Sequence, residues 1–264
     1  MSPVLSVTST QLSAWIVAFM WPFVRMLALI STSPVFGEKL VMRQVKVGLA
    51  ALLAIAIGPT LGTMPNVPLV SAAGVWILIQ QILIGAAMGF SMRLVFAAVQ
   101  AAGDYAGLQM GLSFASFFDA NSGGNTMVLS SLLNMLAMLI FLAVDGHLMV
   151  ISTLAESFHA LPVSEAPLAA SGWHFLVLAG GNVFSAGLML ALPLIAAVLT
   201  LNLAMGILNR ASPQLSIFAV GFPLTLLGGI LILQQLMPHL APFLEQEFAL
   251  GLANMLHLVQ ALRP

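Results

Sequence analysis

Two stretches of this sequence, from Lys46 to Arg93 and from Glu165 to Arg210, hold no Asp, Glu, Lys or Arg between their end residues. One helical crossing of a bilayer needs about 20 apolar residues, so each stretch is long enough for two. Charged residues make up 6% of the chain and apolar ones 61%, whereas soluble domains run near 25% charged. A water-facing surface for the whole chain cannot be assembled from that inventory. The fold expected is an all-α membrane protein that crosses the bilayer several times.

The same inventory excludes several functions. Seven basic residues, spread singly in a chain of net charge −1, make no nucleic-acid footprint. The chain has no cysteine, which removes disulfides, thiol catalysis and sulfur-ligated metals. No processed signal peptide is expected, because no Lys or Arg precedes the first apolar run and that run is longer than an h-region. Sixteen Met and twenty-two Gly suit adaptable apolar surfaces and close backbone approach, the latter being how helices associate in lipid.

Six hydrophobic spans are read, at residues 12–36, 45–61, 69–92, 127–150, 175–208 and 215–237. Turn residues mark the breaks at Ser33-Pro34, 63–68, 161–172 and 211–213. After Pro238 and Pro242 a helical pattern carrying Glu245, Glu247 and His257 reads as a separate, interfacial or partner-bound tail. Lys39, Arg43 and Lys46 occupy one connection, and Arg93 and Arg210 mark two more breaks, whereas 63–68 and 161–172 hold no basic residue. The positive-inside rule places the basic breaks in the cytoplasm and both termini outside, with 93–126 starting and ending on the cytoplasmic side as a re-entrant segment. Irregular backbone at membrane depth is tolerated only in a protein interior or beside a wet cavity. The topology alone therefore nominates that segment as functional.

Within it Gly103, Gly107 and Gly111 recur every fourth residue, a smooth stripe on a helix. Asp104, Gln109 and Asp119 are polar groups that hydrocarbon does not accept unpaired, and Met110, Phe114, Phe117 and Phe118 add bulk before a flexible run from Asn121 to Asn125. Two readings stand side by side: a constriction with glycine bends and water-excluding Met and Phe side chains, or a tight helix–helix contact with no gating role.

Among single residues, Arg25 lies mid-span, where arginine costs about 2.5–3.5 kcal/mol on insertion scales. It calls for a buried partner, either a carboxylate or a helix C-terminus, and a structural pairing is preferred to a role with substrate. Glu156 and His159 stand at i, i+3, half of a carboxylate–histidine metal site, and without a second such pair no metal is expected. Asp145-Gly146-His147 reads as a helix break. No HExxH occurs, and Gly103-Asp104 lacks the preceding glycine of an intramembrane protease motif. No catalytic residues, metal or cofactor are expected, and the chain reads as a non-enzyme.

Two long motifs are more specific than hydropathy. One is Gly107-Leu108-Gln109-Met110-Gly111-Leu112-Ser113-Phe114-Ala115. The other runs Leu208-Asn209-Arg210-Ala211-Ser212-Pro213-Gln214-Leu215-Ser216-Ile217-Phe218-Ala219-Val220-Gly221-Phe222-Pro223. With Trp21-Pro22, Arg25 and Ser31-Thr32-Ser33-Pro34, they make the chain similar to the FliR/SctT family of type III secretion export-gate proteins over essentially its whole length. The resemblance implies an inner-membrane subunit at the flagellar basal body, joined with FliP and FliQ around a channel for unfolded flagellar proteins and met by FlhA/FlhB-like cytoplasmic export machinery.

It further implies a FliP-like half, 1–172, containing a plug loop at 105–125, then a FliQ-like hairpin with a C-terminal helix at 173–264. Kinked hairpins partly raised out of the bilayer would follow. The plug would use Gly107, Gln109, Met110, Gly111, Phe114, Phe117 and Phe118. The cytoplasmic hairpin tip would offer Asn209, Arg210, Pro213 and Gln214 to partner subunits, against the plainer reading of Arg210 as a topology anchor. The alternative function is a secondary transporter for a small solute, with Arg25, Asp104 and Asp145 as coupling charges; it would carry an inverted repeat, and none is found.

Overall fold

The computed structural model describes residues 8–38, 40–62, 64–112, 128–211 and 221–264. Among them the regular structure is helical: α1 Ser9–Thr32, α2 Arg43–Ile57 with a 3-10 turn Gly58–Thr60, α3 Ala72–Gln109, α4 Val128–Ala143, α5 Gly146–Ala160, α6 Ala170–Ala211 and α7 Phe222–Ala261. α1, α3, α6 and α7 are long and apolar enough to cross a membrane, and the α4–α5 pair, bent by 68°, makes a fifth candidate span. The all-α membrane architecture expected from the charge-free stretches is present.

Local chemistry sets the helix ends. α1 begins at a capping box: the Thr8 hydroxyl accepts from the Gln11 N–H, and the Gln11 side chain accepts from the Thr8 N–H. It closes where the Ser33 N–H donates to Leu29 O at 2.8 Å, just before Pro34. The α4–α5 bend falls at Asp145, whose φ of 56° is left-handed, followed by Gly146. This is the break read from Asp145-Gly146-His147.

Several expected boundaries differ. α2 has 15 residues, about 22 Å at 1.5 Å per residue, short of a 30 Å hydrocarbon core. The span at 45–61 is therefore not a full crossing helix. Arg93 does not break the chain: α3 runs unbroken through it for 38 residues. Arg93 is exposed on the helix surface, and a charge on an outer face gives a helix no reason to stop. Asn209 and Arg210 likewise lie inside the last turn of α6, not in a turn of their own. The tail beyond Pro238 is continuous with α7. Pro238 and Pro242 are both exposed, one turn apart, so the lost hydrogen bonds fall on the outer face. Leu240, Leu244 and Phe248 continue the buried one. Of the segment read as re-entrant, 113–126 lies outside the described residues, and its first part is the end of α3.

The chain forms two compact units. One takes in the chain up to Arg93, Gly146–Ala179 and Leu250–Pro264. Here α1 packs directly on α3. A Cβ on Gly85 would come within 2.2 Å of Arg25 O, and one on Gly89 within 2.1 Å of Thr32 Oγ1. Gly85 and Gly89 thus form a small-xxx-small contact. Trp21, fully buried against Val17 and Ile77, donates its indole N–H to Pro65 O at 3.4 Å. At the other end of the sequence, Ser171 donates to Ala261 O at 2.7 Å.

The second unit comprises Leu94–Asp145 and Gly180–Ala249. Its centre is a three-ring aromatic cluster, Phe96 of α3, Phe141 of α4 and Phe248 of α7, with centroids 5.1–5.6 Å apart. Such pairs add about 0.5–1.5 kcal/mol each beyond burial.

Candidate functional site

The C-terminal end of α3 gathers the polar and small residues of the sequence motif. Gly103 faces α4 so closely that a Cβ there would lie 2.4 Å from Ser130 Cα. That approach brings the Ser130 hydroxyl to the Asp104 carboxylate and, at 3.1 Å, to Gln100 O. An acidic group that lipid would reject is thereby held inside the unit by a neighbouring hydroxyl.

Six residues further on the helix stops in a Schellman arrangement. The Leu112 N–H donates to Gly107 O at 2.9 Å and the Gly111 N–H to Leu108 O at 3.1 Å. Gly111 has φ 80°, a conformation a Cβ would strain. The glycines therefore serve separate ends: Gly103 admits α4, and Gly111 turns the chain off the helix.

Between them Met110 is 2% exposed. It lies flat on α7: a Cβ built on Gly229 would meet Met110 Cγ and Cε at 2.6 Å and Sδ at 2.8 Å. The adjacent Gly228 faces Leu201 of α6, whose Cδ1 would lie 2.5 Å from a Cβ at that position. Below this contact is an apolar cavity of about 180 Å³, lined among others by Ala106, Met189, Pro193, Leu233, Met237 and His239. Gln109 is half-buried and Gly107 buried. Phe114, Phe117 and Phe118, with Asp119, lie outside the described residues.

Arg25, in the other unit, is fully buried. Its Nε donates to Gln81 Oε1 at 2.7 Å, Nη1 to Ser157 O and Oγ at 3.2 Å each, and Nη2 to Leu161 O at 3.1 Å. The guanidinium carbon lies 4.0 Å from the centre of the Phe158 ring. Of the two partners left open by the sequence, the helix C-terminus is the one found: Ser157 and Leu161 supply carbonyls at the end of α5, where the helix dipole favours a cation. The arginine is satisfied within the chain.

Arg210 is exposed and Asn209 half-buried in the last turn of α6; Pro213 and Gln214 lie outside the described residues. Glu156 and His159 are both exposed on α5. Gly85, Gly89, Gln81, Ser157 and Gly229 were not singled out from sequence. The Gly85-x-x-x-Gly89 spacing is a signal that could have found the α1 contact. Gly229 carries no such pattern with Met110.

These features define a polytopic helical membrane protein with hydrogen-bonded polar groups held inside it around Arg25 and at the end of α3. The profile of the family described as "Bacterial export proteins, family 1" matches residues 16–251. Flagellar biosynthetic protein FliR of Pectobacterium carotovorum subsp. carotovorum is 52% identical over 93% of this chain and 94% of its own length. That of Escherichia coli strain K12 is 51% identical with the same coverage, and that of Bacillus subtilis strain 168 is 26% identical over 92% and 94%. The chain belongs to this bacterial export family and, within it, to the FliR proteins.

Proposed function

We propose that this chain is the subunit of the flagellar type III export gate that assembles with FliP and FliQ into the membrane channel for unfolded flagellar proteins, and that it closes that channel at rest. The coarser part, a multi-pass membrane component of the flagellar export machinery, follows from family membership over nearly the whole chain. The finer part rests on one observation. α3 ends in a glycine-coded stop at Gly111, with Met110 seated just before it, and the sequence that follows brings Phe114, Phe117 and Phe118.

Met and Phe side chains close a pore by excluding water, and can repack around a passenger without demanding a sequence. On this reading 173–264 is the FliQ-like hairpin, preceded by a FliP-like half, in the cytoplasmic membrane with both termini outside. Asn209 and Arg210 sit at a tip that meets the cytoplasmic FlhA/FlhB-like machinery. The test is deletion of residues 113–118, scored for ion leak in complexes shown by purification to contain FliP and FliQ. Assembled complexes with wild-type conductance would reduce this segment to packing.

A further inference from the structure

Met110 is held by a glycine, not by a matching side chain. Three of its atoms lie within 2.8 Å of where a Gly229 Cβ would be, so any side chain there would displace it. The half of the α6–α7 pair that carries Gly229 is poorly anchored in this chain. Leu199, Leu203, Ile207, Leu227, Ile230 and Leu231 are all exposed along it, at 49–67%. Pro193 in α6 and Pro238 in α7 each remove an intrahelical donor at the base of that half. The apolar cavity at that level, which Pro193 lines with Met237 and His239, leaves neighbouring side chains room to repack. Helices bend at proline, and an apolar pocket beside the bend opposes the motion less than close-packed side chains would.

We infer that the Met110–Gly229 contact is a releasable latch, and that the arm beyond Pro193 and Pro238 must move off Met110 for export to proceed. Gly229 is then a positioning residue: it touches no passenger, and it sets where the end of α3 rests. The inference builds on the gate reading given above. It concerns what holds the closed state, not what fills the pore.

The absence of cysteine allows a direct test. Met110 Cγ lies 2.6 Å from where a Gly229 Cβ would sit, so the two Cβ positions are at most about 4 Å apart, close enough for a disulfide to reach. The pair Met110→Cys with Gly229→Cys is placed in the full complex in a host lacking its own copy. Oxidation is expected to form the intrachain bond and to lower secretion of flagellar subunits at least tenfold, with recovery on adding dithiothreitol. The single variants should not respond to oxidant. A bond that forms while secretion continues at the reduced rate overturns the latch, as does a bond that does not form.

Should the pair fail to assemble, Gly229→Ala replaces it. That variant is expected to raise ion leak severalfold, whereas Gly228→Ala, which meets Leu201 and not Met110, should not. Equal leak from both, or from neither, overturns the latch. Deletion of residues 113–118 is run alongside: leak from the deletion with no effect of the lock sinks the latch alone, and no leak from the deletion sinks the gate reading beneath it.

Discussion

Arg25 Nε lies 2.7 Å from Gln81 Oε1, a charge-assisted hydrogen bond between α1 and α3 in which both side chains are buried. Hydrogen bonds to charged groups contribute about 1.5–3 kcal/mol, and an abandoned buried acceptor adds its own cost. Arg25→Met should therefore lower the thermal stability of the detergent-purified complex by several degrees or abolish accumulation. Arg25→Lys should rescue only partly, because a single ammonium cannot reach Gln81, Ser157 and Leu161 together. The double change Arg25→Met with Gln81→Met is expected to be milder than Arg25→Met alone. Equal or worse behaviour of the double variant would show that Gln81 is not the main partner.

The α1–α3 contact predicts a sharp difference between glycines. At Gly89 a Cβ would lie 2.1 Å from Thr32 Oγ1 and 2.8 Å from Leu29 O, whereas at Gly48 nothing stands within 4 Å. Gly89→Val should abolish assembly with partner subunits in pull-down, and Gly48→Ala should leave it unchanged or slightly improved through helix propensity. Assembly of Gly89→Val at wild-type yield would mean that α1 and α3 are not held this closely.

Ser130 places its hydroxyl against the Asp104 carboxylate. Ser130→Ala should cost on the order of 1–3 kcal/mol by leaving that group short of a donor. Asp104→Asn in the Ser130→Ala background should recover part of the loss, because a neutral amide is cheaper to leave underpaired. Protein level and heat-induced aggregation report both; no recovery would point to a role for Asp104 outside this pair.

Orientation is open to labelling for the same reason the latch is. Single cysteines at Arg43 and Glu165, both exposed, should react with a membrane-impermeant maleimide from opposite sides. The expected pattern is Glu165→Cys in right-side-out vesicles and Arg43→Cys in inside-out ones. Labelling of both from one side would overturn the arrangement drawn from the basic residues.

Charge-free stretches made the class legible, because lipid allows few residue types and a long run of them has few other uses. The same logic misplaces boundaries. Arg93 reads as a break because charge leaves hydrocarbon, yet α3 continues past it in a helix too long for one bilayer. Pro238 and Pro242 read as a stop because proline lacks an N–H, yet the buried face through Leu244 and Phe248 carries α7 on. The spacing of Gly103, Gly107 and Gly111 announced close contacts, but not that Gly111 would be a left-handed cap. The partners of Arg25 were out of reach: Gln81 is 56 residues away and Ser157 132, and neither differs from an ordinary polar residue on a helix until the fold brings it in.

The length of α6 has a consequence for how the protein is made. Its 42 residues amount to about 63 Å of helix, twice the hydrocarbon thickness. Apolar side chains stand exposed near both ends: Val177 at 74% and Phe184 at 67% toward one, Leu203 at 67% and Ile207 at 64% toward the other. Val177 and Ile207 lie about 45 Å apart along the helix, so no upright placement keeps both in a hydrocarbon layer about 30 Å thick, and one end sets greasy side chains against headgroups or water until other protein covers them. A newly inserted copy is thus on a clock. It must be met by companions before proteases or self-association reach the uncovered end, and a cell that runs short of those companions should clear this chain rather than store it.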